Sequence, residues 1–163
     1  MHRKVPSVPL LKAVEKEFIM REHRVLDYGC GRGTDLAWLV KNGYSAEGYD
    51  NYYQPKLPTG SFDVVISSYV LNVIPESKMR LEVLKHMKSL CNGRLITTVR
   101  SATSVTTQAK KGNWKHHKDG FVTGKGTFQH GFTWDELLAM YFEIGCEMLT
   151  GIPISGALNL ISI

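Results

Sequence analysis

The fold is indicated by the stretch Val-Leu-Asp-Tyr-Gly-Cys-Gly-Arg-Gly-Thr-Asp, residues 25–35. A short apolar run ends in an acid, three glycines follow at alternate positions, and a helical pattern begins near Thr34. This order predicts a strand, a tight turn and a helix, because glycine adopts positive φ readily and lets a ligand approach the backbone. The free N–H groups at the start of the helix would point into the same crevice. We therefore expect a ligand-binding turn made by Asp27, Tyr28, Gly29, Cys30 and Gly31.

A second acid indicates what kind of ligand the turn binds. A dinucleotide turn requires a third glycine at position 34, where this chain has threonine. Residues 45–50 are predicted to form a second strand that ends in Asp50. An acid about 20 residues beyond such a turn binds ribose hydroxyls in nucleotide crevices. Asp50, with Asn51 beside it, is therefore expected to hold a ribose.

The strongest strand pattern lies at residues 62–68, whose continuous Val and Ile content is typical of a parallel strand buried on both faces. The ends of such strands line a ligand crevice in open α/β sheets. This adds four residues to the candidate site, namely Ser67, Ser68, Tyr69 and Asn72. Because strands alternate with amphipathic helices along the chain, the predicted class is α/β, with a mostly parallel sheet and helices on both faces.

The segment between these strands is short. Residues 51–61 contain two prolines and a glycine, so neither a helix nor a long strand is expected there. Tyr52 and Tyr53 within it would either offer an aromatic face to adenine or cover the edge of the core. The fold is thus expected to be shortened between the second strand and the strand at residues 62–68.

Peripheral elements follow from spacing alone. Residues 1–23 predict a short amphipathic helix that packs on the sheet or covers the crevice. The helix that Pro75 opens is expected to bury Met79. Residues 146–152 and 158–163 are expected to form an antiparallel pair of edge strands.

Four motifs stand in order along the chain, DYGCGRG at residues 27–33, GYDNYY at 48–53, SYVLNVI at 68–74 and GTFQ at 126–129. The first two resemble class I S-adenosylmethionine-dependent methyltransferases. All four together resemble the methyltransferases associated with DNA phosphorothioation systems. The resemblance implies a compact Rossmann-like fold, S-adenosylmethionine as methyl donor, S-adenosylhomocysteine as product and a place in DNA modification. It also implies that the cofactor is bound by Asp27, Gly29, Gly31, Asp50 and residues 67–72.

The charge of the chain is concentrated in one segment. The formal net charge is +5, and residues 100–125 hold six cations against a single acid. Residues 101–132 show little regular pattern, so we expect a long loop on the substrate side. Cations interleaved with aromatic side chains suit a nucleic-acid surface, although a solvated loop has a similar composition. The predicted substrate contacts are Lys111, Trp114, Lys115 and Lys118.

Candidate catalytic bases are Asp119 and His130, chosen by residue type and position, and needed only if the methyl acceptor is protonated. Two routes of DNA-base methylation lack their motifs, since no proline pair follows the strand at residues 62–68 and no Pro-Cys nucleophile exists. No metal site is expected, because no acid and histidine cluster has ligand spacing. Orientation of donor and acceptor would supply much of the rate.

Composition limits the remaining choices. At 163 residues and 43% hydrophobic content, residues 1–163 are expected to form one globular domain. No apolar run reaches the roughly 18 residues of a membrane helix, and no signal-peptide pattern is present. A cytoplasmic protein without membrane contact is therefore expected. Its three cysteines lack C-x-x-C spacing, so neither a disulfide framework nor zinc is indicated.

Three functions agree with these features. The first is a methyltransferase acting on nucleic acid or in a DNA-modification pathway. The second is a small-molecule methyltransferase, which needs no separate recognition domain. The third is a non-catalytic module that binds S-adenosylmethionine and acts through the basic segment.

Overall fold

The computed structural model describes residues 4–163, which fold around a six-stranded sheet. In spatial order its strands are β2 (Ser45–Tyr49), β1 (Arg24–Tyr28), β3 (Phe62–Ser68), β4 (Cys91–Arg100), β9 (Ala157–Ser162) and β8 (Leu149–Thr150). The first four strands are parallel, and β9 is antiparallel to both of its neighbours. The predicted α/β class with a mostly parallel sheet is confirmed.

The C-terminal strands differ from the prediction. We expected two edge strands, but β9 lies inside the sheet between β4 and β8, and only β8 is at the edge. The difference has a simple cause, because Leu158, Leu160 and Ile161 of β9 are all buried and an edge strand would leave part of that surface in water. The shortened region agrees with the prediction, since turns and irregular backbone join β2 to β3.

Helices cover both faces of the sheet. On one face, α1 (Val8–Glu15) and α2 (Thr34–Lys41) contribute Leu10 and Leu39 to a core that also contains Ile66 of β3. On the other face, α3 (Ser77–Ser89) and α5 (Trp134–Glu143) contribute Leu84 and Leu137 to a core around Val65. Successive residues of β3 thus enter opposite cores, as its unbroken apolar pattern predicted.

The buried stripe of α3 is shifted from the predicted one. Met79 is 53% exposed, whereas its neighbour Arg80 is 1% exposed. Burial of this cation is tolerated because its guanidinium donates to the carbonyl oxygen of Ile74 at 2.8 Å and to the carboxylate of Asp119. The hydrophobic pattern of the sequence alone could not predict that Arg80 is buried and Met79 is exposed.

Residues 101–132 are a folded unit rather than the long loop expected from the sequence. They form α4 (Ala102–Lys111) and an antiparallel three-stranded sheet of β5 (Lys115–His117), β6 (Gly120–Val122) and β7 (Phe128–Gln129). These strands have two or three residues each, too few to show an alternating pattern. We call this second sheet the small sheet.

The small sheet is fixed to the end of β3. Strand β7 contacts the short 3₁₀ helix Leu71–Val73, and the backbone N–H of His130 donates to the Asn72 carbonyl oxygen at 2.7 Å. The N–H of Phe132 donates to the carbonyl oxygen of Arg100 at 2.9 Å. Two backbone bonds therefore hold this unit against the carboxyl ends of β3 and β4.

The N-terminal segment packs on the sheet through α1. Ser7 caps this helix, and its backbone N–H and Oγ donate to the two carboxylate oxygens of Asp35, at 2.7 and 2.6 Å. This ties the start of α1 to the first turn of α2. The structure describes no helix long and apolar enough to cross a membrane within residues 4–163.

A buried hydroxyl of α5 allows a test of the fold. Tyr141 is fully buried, and its hydroxyl donates to Thr97 Oγ1 at 2.6 Å and lies 3.1 Å from the Leu160 carbonyl oxygen. We expect Tyr141→Phe to lower the free energy of unfolding by about 1–3 kcal/mol, because it leaves buried polar partners unsatisfied. Urea unfolding measures this, with Tyr52→Phe at an exposed position as control. An equal loss of unfolding free energy in Tyr141→Phe and Tyr52→Phe would contradict the stabilising role of the Tyr141 hydroxyl.

Candidate functional site

The turn after β1 holds three glycines in left-handed backbone conformations, with φ of 76° at Gly29, 54° at Gly31 and 80° at Gly33. A Cβ atom at Gly29 would lie 2.2 Å from Val70 Cγ2, so the turn packs directly on the segment after β3. A Cβ atom at Gly31 would meet no protein atom within 4 Å. The turn is therefore closed against the protein at Gly29 and open to a ligand at Gly31.

Asp50 fastens this turn to the end of β2. Its Oδ2 accepts a hydrogen bond from the backbone N–H of Gly31 at 3.0 Å. Its Oδ1 accepts from the N–H groups of Tyr52 and Tyr53, both at 2.9 Å. A carboxylate offers about four lone-pair sites, so one remains for a ligand hydroxyl. Asp50 thus lies at the end of β2, where an acid that binds a ribose was expected. It also holds the following loop through the N–H groups of Tyr52 and Tyr53.

A cavity of about 220 Å³ opens between the glycine turn, the end of β2 and the segment after β3. Four predicted cofactor residues, Tyr28, Gly29, Asp50 and Asn51, line it together with Tyr52. The rest of the wall consists of Tyr49 and of four aliphatic residues, Val70, Val73, Ile74 and Val83. The cavity therefore combines a carboxylate acceptor with a hydrocarbon surface, as the ribose and base of a nucleoside require.

Asp27 and Cys30 lie beneath the turn rather than on the cavity. Asp27 is 5% exposed at the end of β1. The Cys30 sulfur packs on β2, only 3.0 Å from where a Cβ atom would stand at Gly48. Burial, followed by the charges of Asp27 and Asp50, raises the pKa of the Cys30 thiol to about 12. The thiol is therefore protonated at neutral pH and is not a nucleophile.

The four residues predicted at the end of β3 face different surroundings. Ser67 is fully buried, and its Oγ has no hydrogen-bond partner within residues 4–163, while Ser68 is half-buried. Tyr69 is half-buried in a left-handed conformation, with φ of 64°, just before the residue that packs on the glycine turn. Asn72 is 1% exposed and donates through Nδ2 to Gln129 Oε1 at 3.0 Å. None of the four lines the cavity.

The two predicted bases lie together in an ionic network in which His130 and Arg80 are buried and Asp119 is exposed. His130 Nδ1 is 2.7 Å from the Asp119 carbonyl oxygen and 3.5 Å from its Oδ2, and His130 Nε2 is 2.8 Å from Glu136 Oε1. The buried Arg80 donates to both carboxylate oxygens of Asp119. Sequence reasoning missed Arg80 and Glu136, because charged residues on amphipathic helices normally face solvent.

This arrangement makes His130 a structural link. A carbonyl oxygen only accepts hydrogen bonds, so Nδ1 carries a proton, and Nε2 is occupied by the carboxyl group of Glu136. The ring is 6% exposed and therefore directs no free lone pair toward a substrate. The network joins the small sheet, through Asp119 and His130, to Arg80 on α3 and Glu136 on α5.

The predicted substrate residues are spread over the small sheet and α4. Lys111 and Lys115 are exposed, at the end of α4 and on β5. Lys118 is paired with Glu76. The ring of Trp114 is half-buried, with the guanidinium carbon of Arg100 5.7 Å from its centroid. The segment therefore presents cations on a folded surface.

The chain belongs to the methyltransferase domain family, whose model matches residues 3–148. This agrees with the class predicted from the glycine turn and Asp50. The family match leaves the association with DNA phosphorothioation as a prediction. No curated protein matches the chain.

Solved structures agree on the fold. The magnesium protoporphyrin IX methyltransferase of Synechocystis PCC 6803, with bound SAH, is 18% identical with a TM-score of 0.66, covering 94% of this chain and 78% of that chain. A SAM-dependent methyltransferase of Methanosarcina mazei is 16% identical with a TM-score of 0.67, covering 92% and 97%. The 1,6-didemethyltoxoflavin-N1-methyltransferase of Burkholderia thailandensis is 17% identical with a TM-score of 0.63, covering 95% and 76%. The predicted Rossmann-like methyltransferase fold is confirmed.

The ionic network predicts a pH dependence of stability. Burial alone would raise the pKa of the Asp119 carboxyl, but the Arg80 hydrogen bond and the charge of His130 outweigh it and lower that pKa. A carboxyl with a lowered folded-state pKa stabilises the fold above its unfolded pKa, about 3.9 for Asp, and this is lost as pH falls through the folded pKa. Asp119→Asn should therefore be less stable than the parent at pH 7, with the difference shrinking below about pH 4.

Urea unfolding of both proteins between pH 7 and pH 3 measures that difference. The matched control is Asp135→Asn, which removes an exposed acid from the first turn of α5. A parent–variant difference for Asp119→Asn that stays constant over this range would exclude the proposed pairing with Arg80.

Proposed function

We propose that the protein is an S-adenosylmethionine-dependent methyltransferase that binds the nucleoside of its cofactor in the cavity between Gly29, Asp50 and Val70. The observation that carries this proposal is the bond between Asp50 and the open Gly31 position, which puts a carboxylate beside an unobstructed stretch of backbone. The neighbours described above that hold SAH in the same fold support it.

The residues present fit this cofactor. Asp50 would accept from a ribose hydroxyl, the apolar wall around Val70 would contact adenine, and Gly31 would leave room for the rest of the ligand. S-adenosylmethionine supplies an electrophilic methyl group when it is bound. The chain would hold donor and acceptor in line, and orientation of this kind contributes a large share of the rate in bimolecular reactions.

Cofactor binding can be tested with two variants. Gly31→Val should abolish SAH binding because its side chain would fill the open space at the turn. Asp50→Asn should weaken SAH by about 10- to 100-fold, the cost of losing a hydrogen bond to a charged acceptor. Titration calorimetry with SAH on folded proteins measures both effects.

Gly145→Val is the matched control for the first variant. Gly145 also has positive φ, 85°, and a Cβ atom there would meet nothing within 4 Å, but it lies after α5, away from the cavity. Normal SAH affinity in Gly31→Val and Asp50→Asn would refute the site. Tight binding of NAD with no response to SAH would refute the proposed cofactor.

For the acceptor we propose nucleic acid, within a DNA-modification pathway. The sequence resemblance supports this choice, and so does the concentration of cations on α4 and the small sheet, which docks against the carboxyl ends of β3 and β4. Exposed cations of this kind contact phosphates, and an aromatic side chain such as Trp114 stacks on bases. The cations of α4 and the small sheet would thus position the acceptor beside the cofactor cavity.

A small-molecule acceptor is the second candidate. It is favoured by the neighbours, one of which is named for magnesium protoporphyrin IX and another for 1,6-didemethyltoxoflavin. Half-buried Trp114 and Phe121 also line a cavity of about 250 Å³ next to α4, which is concave rather than flat. A non-catalytic SAM-binding module would bind SAH without transferring methyl to either acceptor.

Salt dependence separates these acceptors. If Lys110, Lys111, Lys115 and Lys118 contact phosphates, log K for DNA falls with log salt by about 0.7–0.9 per contact. Replacing all four with alanine should reduce that slope by up to about 3 units and leave SAH affinity unchanged. Fluorescence anisotropy with single- and double-stranded oligonucleotides measures the slope. A control with alanine at Lys12, Lys41, Lys85 and Lys88, which lie outside this segment, should keep it.

Equal slopes in the parent and the first quadruple variant would remove the nucleic-acid proposal. Absence of binding at low salt would do the same. Either result would favour the small-molecule candidate for the same cofactor cavity.

A further inference from the structure

Arg100 is the last residue of β4. It lies at the carboxyl ends of the parallel strands, where the glycine turn also lies. The next residue, Ser101, caps α4, so Arg100 lies where the six-stranded sheet leads into α4. Its guanidinium lies over the ring of Trp114, and its Nη1 donates to Gln129 Oε1 at 3.2 Å. Two residues that the sequence analysis singled out, Trp114 and the last residue of the GTFQ motif, thus hold this one side chain.

The positive charge of Arg100 has no counterion in the described part of the chain. Arg80 pairs with Asp119 and Arg24 with Glu47, but no carboxylate of residues 4–163 lies within 4 Å of Arg100. The side chain is half-buried, and this burial lowers its pKa. Removing a cation from water without a counterion costs free energy. An anionic ligand would offset that cost.

Hydrogen-bond directions fix the surroundings of Arg100. Arginine only donates, so the oxygen of the Gln129 amide must face it. The same oxygen accepts from Asn72 Nδ2 at 3.0 Å. Asn72 Oδ1 is therefore turned away and is buried without a partner within residues 4–163. Gln129 uses one acceptor to hold Arg100 and Asn72, which leaves the other donors of the guanidinium fork for a ligand.

Arg100 lies close to the segment after β3, which forms part of the wall of the cofactor cavity. The phenol of Tyr69 is close enough to influence the Arg100 charge electrostatically, and Tyr69 N–H donates to the Thr98 carbonyl oxygen on β4 at 2.8 Å. Tyr69 has strained backbone, with φ of 64°, and its neighbour Val70 lines the cavity. Arg100 thus lies one strand beyond the cavity, on the side of the small sheet.

We propose that Arg100, held by Gln129 and Trp114, anchors an anionic group of the methyl acceptor, either a phosphate or a carboxylate. This inference rests on the proposed methyltransferase function and specifies the chemistry of its acceptor site. A guanidinium binds either oxyanion through two parallel hydrogen bonds. The acceptor is then placed between an anion anchor on β4 and the nucleoside cavity.

The test follows the side-chain Nε–Hε resonance of Arg100 in ¹⁵N-labelled protein saturated with SAH. Inorganic phosphate and acetate are titrated separately, and Arg100→Lys assigns the resonance. We expect a saturable shift of this resonance with at least one anion. Because Arg100→Gln lacks that resonance, the Kd in parent and variants is read from the indole Nε1–Hε1 resonance of Trp114, whose ring lies against the Arg100 guanidinium. This Kd should rise at least tenfold in Arg100→Gln, the loss of a charge-assisted interaction. Stronger binding of phosphate would indicate a nucleotide acceptor, and stronger binding of acetate a carboxylic acid.

Arg94→Gln is the matched control, and its anion Kd should equal that of the parent. Arg94 lies on the same strand and also over an aromatic ring, that of Phe18 at 5.8 Å, but near the other end of β4. Absence of a saturable shift, or an unchanged Kd in Arg100→Gln, would overturn the proposal. Loss of SAH affinity in Arg100→Gln would also overturn it, because Arg100 would then serve the cofactor.

The same titrations without SAH keep the two proposals distinguishable. Failure of the parent to bind SAH would count against the proposed function. An anion shift that is lost in Arg100→Gln would still support the anchor in that case.

Discussion

The candidate site depends on the hydrogen bond between the Asp50 carboxylate and the backbone N–H of Gly31. The turn that carries this bond adopts left-handed φ values, which glycine reaches without the steric cost of a side chain. Val70 packs on Gly29 from the other side and fixes the third wall of the cavity. Three segments distant in sequence therefore define one nucleoside-sized space.

Much of the fold and of the candidate site could be predicted, because short local sequence patterns indicate them. The glycines, Asp50 and the apolar strand at residues 62–68 each follow from a short pattern, and each lies where it was expected. The small sheet could not be predicted, because its strands are short and all three residues of β5 are exposed, so neither length nor an alternating apolar pattern indicated a strand. The burial of Arg80 instead of Met79 could not be predicted either, because it depends on Asp119, which is 39 residues away in the sequence.

The candidate site residues also differ in whether a local pattern or a tertiary contact determines their role. Gly29, chosen for backbone geometry, lines the cavity with Asp50, and Gly31 is joined to Asp50 by its backbone N–H. Those chosen for side-chain chemistry alone were less informative. His130 links the small sheet to α5, because both of its ring nitrogens are occupied. Arg100 was counted only as one cation among six, although tertiary packing leaves it half-buried and without a carboxylate partner in the described residues.

A crystal structure of the protein with SAH would test the central claim most directly. The account predicts adenine against Val70 and a ribose hydroxyl within hydrogen-bond distance, about 2.5–3.0 Å, of an Asp50 carboxylate oxygen. It also predicts that Gly31 retains its positive φ and lies directly against the ligand. A ligand bound elsewhere, with Asp50 still contacting only the backbone of Gly31, Tyr52 and Tyr53, would contradict it.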